Sequence, residues 1–248
     1  MSRSLKIICI LLGLSFGLGL VGYFTARDIW EVKRGSEFLK RENYSQALPY
    51  FERAVQIKPK NAAYWFGLGF ALYKLNRPEE ALQAYDRALA LNYQSDRLWF
   101  NKGVVLARCR HDVKGAMECY DHALKLNPQM IQAWNSKGFI LEIQGQYPQA
   151  LECFDHALQL DPQSALAWGG KSVVMSSLKK FKEAVECSDR ALKIEPGNSL
   201  FWQGKARALK NLEEYRPALD CCRQALKLKP NDPKILQLKN ELLNKLGK

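Results

Sequence analysis

The side chains of this 248-residue sequence best suited to chemistry near neutral pH are seven cysteines and three histidines. Four of the cysteines, Cys119, Cys153, Cys187 and Cys221, could supply thiolate ligands, a disulfide or a nucleophile. Their spacing argues against all three. Cys153, Cys187 and Cys221 recur every 34 residues, and Cys119 takes the equivalent place one interval earlier. They therefore mark one position repeated along the chain. Equivalent positions in successive helix pairs stand about 10 Å apart, beyond the roughly 7 Å between Cα atoms that a disulfide spans. No CxxC occurs. Simple packing is the expected role. His122 and His156 stand where Arg53, Arg87 and Arg190 stand in other intervals, which marks a solvated position, and His111 falls in a turn. No nucleophile or orienting carboxylate accompanies them. No glycine-rich phosphate loop follows a strand. The acidic pairs Glu79–Glu80 and Glu213–Glu214 open helices, where the positive end of the helix dipole favours them. The expectation is no enzyme, no metal site, no cofactor and no small-molecule substrate.

The recurring cysteines belong to a wider period. Trp134, Trp168 and Trp202 are 34 residues apart, with Trp65 and Trp99 preceding them. Pro128, Pro162, Pro196 and Pro230 keep the same interval. A period of this length signals stacked helix–turn–helix elements. Small residues recur on each first helix: Gly35, Gly69, Gly103, Gly138, Ser172 and Ala206. Each second helix carries two alanines seven apart, such as Ala81 and Ala88 or Ala150 and Ala157. Small side chains there let paired helices approach closely. The tryptophans and the aromatics Tyr85, Tyr120 and Phe154 are expected to fill the remaining space, at about 25 cal/mol per Å² of apolar surface buried. Asn61, Ser95, Ser164 and Asn198 can cap the helices that follow the proline position, and Asp232 can cap the last helix.

These residues resemble the tetratricopeptide repeat (TPR) family. In the fourth repeat the matching residues are Trp134, Gly138, Leu141, Ala150, Phe154, Ala157 and Pro162. In the second they are Trp65, Leu68, Gly69, Leu72, Ala81, Tyr85 and Ala88, with Tyr93 where proline is expected. The resemblance divides the chain into repeats at 28–61, 62–95, 96–130, 131–164, 165–198 and 199–232, closed by a capping helix at 233–248. It implies an all-α fold, a TPR-type α-solenoid in which neighbours complete one another's cores as a right-handed superhelix. Three departures stand out. Glu31 replaces tryptophan in the first repeat. The third repeat is one residue longer, with the extra residue expected in the turn around Arg110–Lys114. Ser188 and Cys222 replace the aromatic of the fifth and sixth repeats, where looser packing is expected.

Charge and hydropathy set the N-terminus apart. After a short basic tail at 1–6, twenty uncharged residues run from Ile7 to Ala26, long enough as a helix to cross a bilayer core of about 30 Å. A cleavable signal peptide fits less well, because Phe24 would sit three residues before a cut after Ala26. The expectation is a single-pass membrane protein with an uncleaved anchor. The short basic tail favours an array outside the cytoplasm, whereas the free thiols favour a reducing compartment; the side is left open. Gly13 and Gly17 form a GxxxG that permits homodimerisation through the anchor. The formal net charge is +12. Residues 165–248 hold seventeen Lys/Arg against nine Asp/Glu, and residues 1–61 hold ten against five, so both ends are basic. Lys33, Arg34, Lys40 and Arg41 suit anionic headgroups. Lys179, Lys180 and Lys182 suit an acidic protein, with nucleic acid disfavoured.

The resemblance implies that the first helices line a face that grips an extended peptide or a helix. Its positions select Phe66, Phe70 and Tyr73, then Arg97, Asn101, Val104 and Arg108, then Asn135, Phe139 and Glu142. Aromatics supply apolar area, asparagines can hold a peptide backbone, and arginines favour a carboxylate. The clamp by which some TPR cochaperones grip chaperone tails is not reproduced, since Gly67 replaces its asparagine. The expected function is a membrane-anchored scaffold or adaptor that recruits partner proteins, with a structural subunit of the cell envelope (secretion or pilus) and an RNA-binding helical repeat as alternatives.

Overall fold

The structure is a computed structural model that describes residues 29–247. The basic tail at 1–6 and the expected membrane span at 7–26 lie outside these residues. Among the described residues, no helix is long and apolar enough to cross a membrane. These residues are all-α, with thirteen α-helices and no strand. The chain divides in sequence between Cys119 and Tyr120 into two compact units.

The N-terminal unit holds α1 (29–40), α2 (Tyr44–Ile57), α3 (Ala62–Lys74), α4 (Pro78–Ala90), α5 (Asp96–Val105) and the start of α6 (Val113–Leu126). The C-terminal unit holds the rest of α6, then α7 (Ile131–Ile143), α8 (Tyr147–Leu160), α9 (Ala165–Ser177), α10 (Phe181–Ile194), α11 (Ser199–Asn211), α12 (Tyr215–Leu228) and α13 (Pro233–Lys245). Within each unit a first helix packs on its own second helix and also on the next first helix: α3 on α4 and α5, α9 on α10 and α11. The expected caps form. Asn61, Ser95, Ser164 and Asn198 accept backbone N–H groups at the starts of α3, α5, α9 and α11, and Asp232 accepts two at the start of α13. Hairpin turns inside the repeats pass through left-handed backbone at Glu42, Asn76, Gly145, Lys179 and Glu213. Glu79 and Glu80 open α4 as expected, whereas Glu213 and Glu214 stand before α12, whose first turn carries no acidic residue.

The small residues act through close approach. A Cβ on Gly69 would stand 2.6 Å from the ring of Tyr85, and one on Gly138 would stand 2.9 Å from Phe154. Those rings are fully buried. The tryptophans differ from expectation, because all five are only half-buried. Their position is set by a hydrogen bond: the indole N–H of Trp65, Trp134, Trp168 and Trp202 donates to the carbonyl of Pro59, Pro128, Pro162 and Pro196, at 2.7 to 3.1 Å. An indole at a core position needs a partner for its N–H. The carbonyl before a first helix supplies one, and that holds the ring at the edge of the core. In the first repeat Glu31 occupies the tryptophan position, almost fully buried, and accepts from the guanidinium of Arg53 at 2.9 and 3.0 Å.

Looser packing at Ser188 and Cys222 is not found. Ser188 is 1% exposed and pairs with Ser172 at 2.7 Å, while the Ser172 hydroxyl donates to the Ala184 carbonyl at 2.8 Å. Two serines thus replace the glycine–aromatic pair, and Phe201 of α11 packs against Gly169. Cys222 is fully buried among Ala218, Ala225, Ile235 and Leu242. The extra residue of the third repeat also lies elsewhere than expected. It is absorbed before the turn, in a π-helical stretch at Leu106–Arg110 that ends on His111 in left-handed backbone. Widening one turn of helix accommodates an insertion without breaking the hydrogen-bond ladder.

Ion pairs at 2.5–2.6 Å link each of four second helices to the following first helix: Lys102–Asp86, Lys137–Asp121, Lys171–Asp155 and Lys205–Asp189. The lysines are mostly buried along their stems and the aspartates half-exposed. Nothing in the isolated sequence signalled this series beyond the shared interval.

Candidate partner-binding surface

Three expected site residues come together on α3 of the N-terminal unit. Phe66, Phe70 and Tyr73 follow one another at helical spacing and are half-buried, so they share one face. Neighbouring helices extend that face. Tyr44 of α2 meets Phe70 edge-on at 6.2 Å, and the ammonium of Lys74 lies 5.6 Å from both rings. Phe66 lies about 6 Å from Tyr85 and from Tyr93. The Tyr93 side chain in turn borders a hollow of about 720 Å³ at the start of α3, whose rim carries Lys58 and Lys60. Aromatic rings that are partly exposed and fixed by their neighbours offer apolar area at little conformational cost.

The polar members of the expected set are placed less uniformly. Arg97 is exposed on α5. Arg108 is exposed within the π-helical stretch, where the neighbouring Arg110 reaches back to Glu79 of α4 at 3.2 Å. Asn101 is half-buried and stands two residues after Trp99, the place that Gly67 holds after Trp65. The counterpart of Phe66 is therefore Phe100, one residue before Asn101.

In the C-terminal unit, Phe139 is half-buried and meets Phe154 edge-on at 5.1 Å. Asn135 does not behave as a peptide-gripping amide. It is 5% exposed, donates weakly to the Ser164 hydroxyl at 3.4 Å, and leaves its Oδ1 without a partner among the described residues. Its counterpart two repeats on, Gln203, is buried as well, with an unpartnered Nε2. The α7–α9 contact covers this side chain, which a helix-face reading of α7 alone could not foresee. Burial raises the carboxyl pKa of Glu142.

The wall formed by α9 and α11 carries apolar side chains that were not among the expected residues: Leu166, Val173 and Leu200 are 51%, 42% and 59% exposed. A 34-residue comparison reveals their equivalence to Ala63, Phe70 and Arg97 of the earlier repeats, which was the available signal.

The thiols are placed for packing. Burial pushes Cys119, Cys153, Cys221 and Cys222 up to about 11, and only in part do Lys102, Lys137, Lys205 and Lys239 oppose it. A thiol so shifted is a poor nucleophile. Among the described residues, no group of three or more His, Cys, Asp or Glu is placed to hold a metal ion. His156 is exposed and stacks on Trp134 at 4.6 Å, while Arg190 lies 4.4 Å over Trp168 in the equivalent pairing. The His/Arg position therefore covers the tryptophan face as well as facing solvent.

No curated protein matches the chain in sequence. Solved structures share its fold. One chain of the APC/C hetero-tetramer Cut9–Hcn1 superposes with a TM-score of 0.78 at 17% identity, over 91% of this chain. The chain spans only 44% of that longer protein. PilF of Pseudomonas aeruginosa superposes at 0.75 with 20% identity, covering 88% of this chain and 99% of its own. PilW, described as a widely conserved type IV pilus biogenesis factor, superposes at 0.75 with 19% identity, covering 85% and 97%. Family models of the tetratricopeptide repeat match residues 32–96, 71–131, 131–164, 165–198 and 201–232. With most of its length so matched, and with hairpins stacked in the way described, the chain belongs to the tetratricopeptide repeat family.

Proposed function

We propose that this protein is a membrane-anchored scaffold that captures a peptide or helix of a partner protein on the face of its first helices. The observation that carries this reading is the aromatic face of α3, where Phe66, Phe70 and Tyr73 stay half-buried with Tyr44 and Lys74 around them. A solvated helix has no need of three large rings on one side, whereas a docking face does. YrrB, described as a TPR protein with an unusual peptide-binding site, superposes at a TM-score of 0.60 with 20% identity over 77% of this chain. That likeness supports peptide capture here. The twenty-residue apolar run at 7–26 supports the anchor, and the exposed Ile29 and Trp30 that follow it suit an interfacial position.

Crosslinking and recovery from native membranes test the reading, with intact protein compared against a Phe66→Ala/Phe70→Ala/Phe139→Ala variant. Proteins lost from the variant while its circular dichroism is unchanged identify the partners. Full recovery of the same proteins by the variant sinks the aromatic face as the docking surface. A chain lacking residues 1–26 is expected to leave the membrane fraction and remain folded.

A second reading, an accessory subunit of a pilus or secretion assembly, draws support from the match of PilF and PilW over nearly their whole lengths. Protease digestion of intact cells separates the two: cleavage of the array favours an envelope role, and protection favours a cytoplasmic adaptor.

A further inference from the structure

We infer that α11 and α13 form a docking pocket for an acidic, partly aliphatic peptide segment, a proposal that rests on the scaffold reading and gives its partner a chemistry. The two helices enclose a hollow of about 360 Å³. Arg207, Lys210 and Asn211 line it from α11, and Lys234, Gln237 and Glu241 from α13. Three cations thus face one carboxylate. Lys210 donates to Glu241 at 3.0 Å, and Gln237 donates to the other oxygen of that carboxylate at 3.1 Å. This internal pair displays how the pocket holds a carboxylate. The hydrogen bond from Lys210 keeps the Glu241 carboxyl below its usual pKa range, with attraction from Lys210 and Arg207 adding to it. Arg207 and Lys234 are exposed and make no ion pair among the described residues. They are the unused half of the site, and a guanidinium fork is matched to a carboxylate.

An apolar strip leads into the pocket. Leu200 lies seven residues before Arg207 on α11 and so on the same face. On the adjoining α9, Leu166 and Val173 occupy the equivalents of Leu200 and Arg207 one repeat earlier. All three are large, exposed and aliphatic. A segment with Asp or Glu over Arg207 and Lys234, and Leu- or Val-like residues over Leu200 and Leu166, satisfies both ends. The excess of Lys/Arg over Asp/Glu across 165–248 adds longer-range attraction. RNA is the poorer fit, because single strands bind by stacking bases on aromatic rings and this strip has none.

The test is fluorescence anisotropy on the full chain in detergent micelles, with a labelled octapeptide of alternating Leu and Glu and its Leu–Gln counterpart. The acidic peptide is expected to bind saturably and the neutral one not to bind. Arg207→Glu/Lys234→Glu is expected to weaken binding about tenfold or more, and Leu200→Ser about threefold. Glu241→Gln is expected to tighten it about twofold or more, since it removes the competing internal carboxylate. Lys193→Glu/Lys227→Glu makes the same charge change at exposed positions of α10 and α12, outside the pocket, and is expected to leave affinity within about twofold. Equal losses from the two charge reversals would reduce the effect to diffuse attraction and overturn the proposal. Equal binding of the Leu–Gln peptide also overturns it, as does capture of a uridine dodecamer through Arg207 and Lys234 in preference to the acidic peptide. Circular dichroism of each variant separates misfolding from lost binding. The measurement involves no cellular partner and leaves Phe66 and Phe70 intact, so its failure is distinct from failure of the crosslinking experiment.

Discussion

Tyr85 shows how a repeated position tolerates a side chain that is not ideal for it. Its ring fills the gap that Gly69 leaves open, yet its hydroxyl is buried with no hydrogen-bond partner among the described residues. Burial raises its pKa well above the ordinary tyrosine value. The fourth repeat places Phe154 at the same point, where nothing polar is lost. An unpartnered buried hydroxyl costs on the order of 1–3 kcal/mol. Tyr85→Phe is therefore expected to leave the stability unchanged or raise it by up to about 1 kcal/mol, measured by urea denaturation of the purified chain. A loss above that size would mean the hydroxyl has a partner. Asn135 and Gln203 are a related case at a neighbouring register, each with one amide atom unpartnered. Their types were legible in the sequence as polar groove candidates; their burial depends on the adjacent first helix.

Between elements, the Lys–Asp series joins four second helices to the first helices that follow them, where the alanines and glycines have brought the backbones close. Lys171 has only 18% of its side chain exposed and its partner Asp155 has 50%. The pair is thus partly shielded from solvent, and its interaction exceeds that of an open surface pair only modestly. A double-mutant cycle with Lys171→Ala and Asp155→Ala is expected to give a coupling of about 0.5–1.5 kcal/mol. Each single variant should destabilise the C-terminal unit. A coupling indistinguishable from zero would reduce these contacts to surface decoration. The α5–α6 connection teaches a different point about elements. The sequence interval requires an added residue between Leu106 and Ala116, and the helix takes it up by widening to a π-helical stretch rather than lengthening the turn. Interval counting locates an insertion only to within a few residues, because helix and turn compete for it.

Across the molecule, buried thiols couple stability to alkaline pH. Cys119, Cys153, Cys221 and Cys222 titrate near 11 in the folded chain, against about 9 in a solvated thiol. Between those values the unfolded chain has lost protons that the folded chain retains, so unfolding becomes easier as pH rises. Stability is expected to be flat below about pH 8, to fall through the window from about 9 to 11, and to fall less in a Cys119→Ala/Cys153→Ala variant. Urea midpoints across that range check it, and identical pH profiles for the variant and the parent would contradict it. Lys and Tyr titrate nearby, which is why the comparison with the alanine variant carries the test. Thiol alkylation at pH 8 should reach the half-buried Cys109 well before these four.

The repeat period, the helical hairpins, the caps at Asn61, Ser95, Ser164, Asn198 and Asp232 and the close approaches at Gly69 and Gly138 could all be read from residue order. They depend on contacts within one interval of chain, which a 34-residue pattern records directly. The half-burial of the tryptophans, the Ser172–Ser188 pair, the concealment of Asn135 and the cationic hollow between α11 and α13 could not. Each depends on which neighbouring helix covers a side chain and at what distance. Helices equivalent in sequence acquire different surroundings once packed, and it is those surroundings that separate a core residue from one that faces a partner.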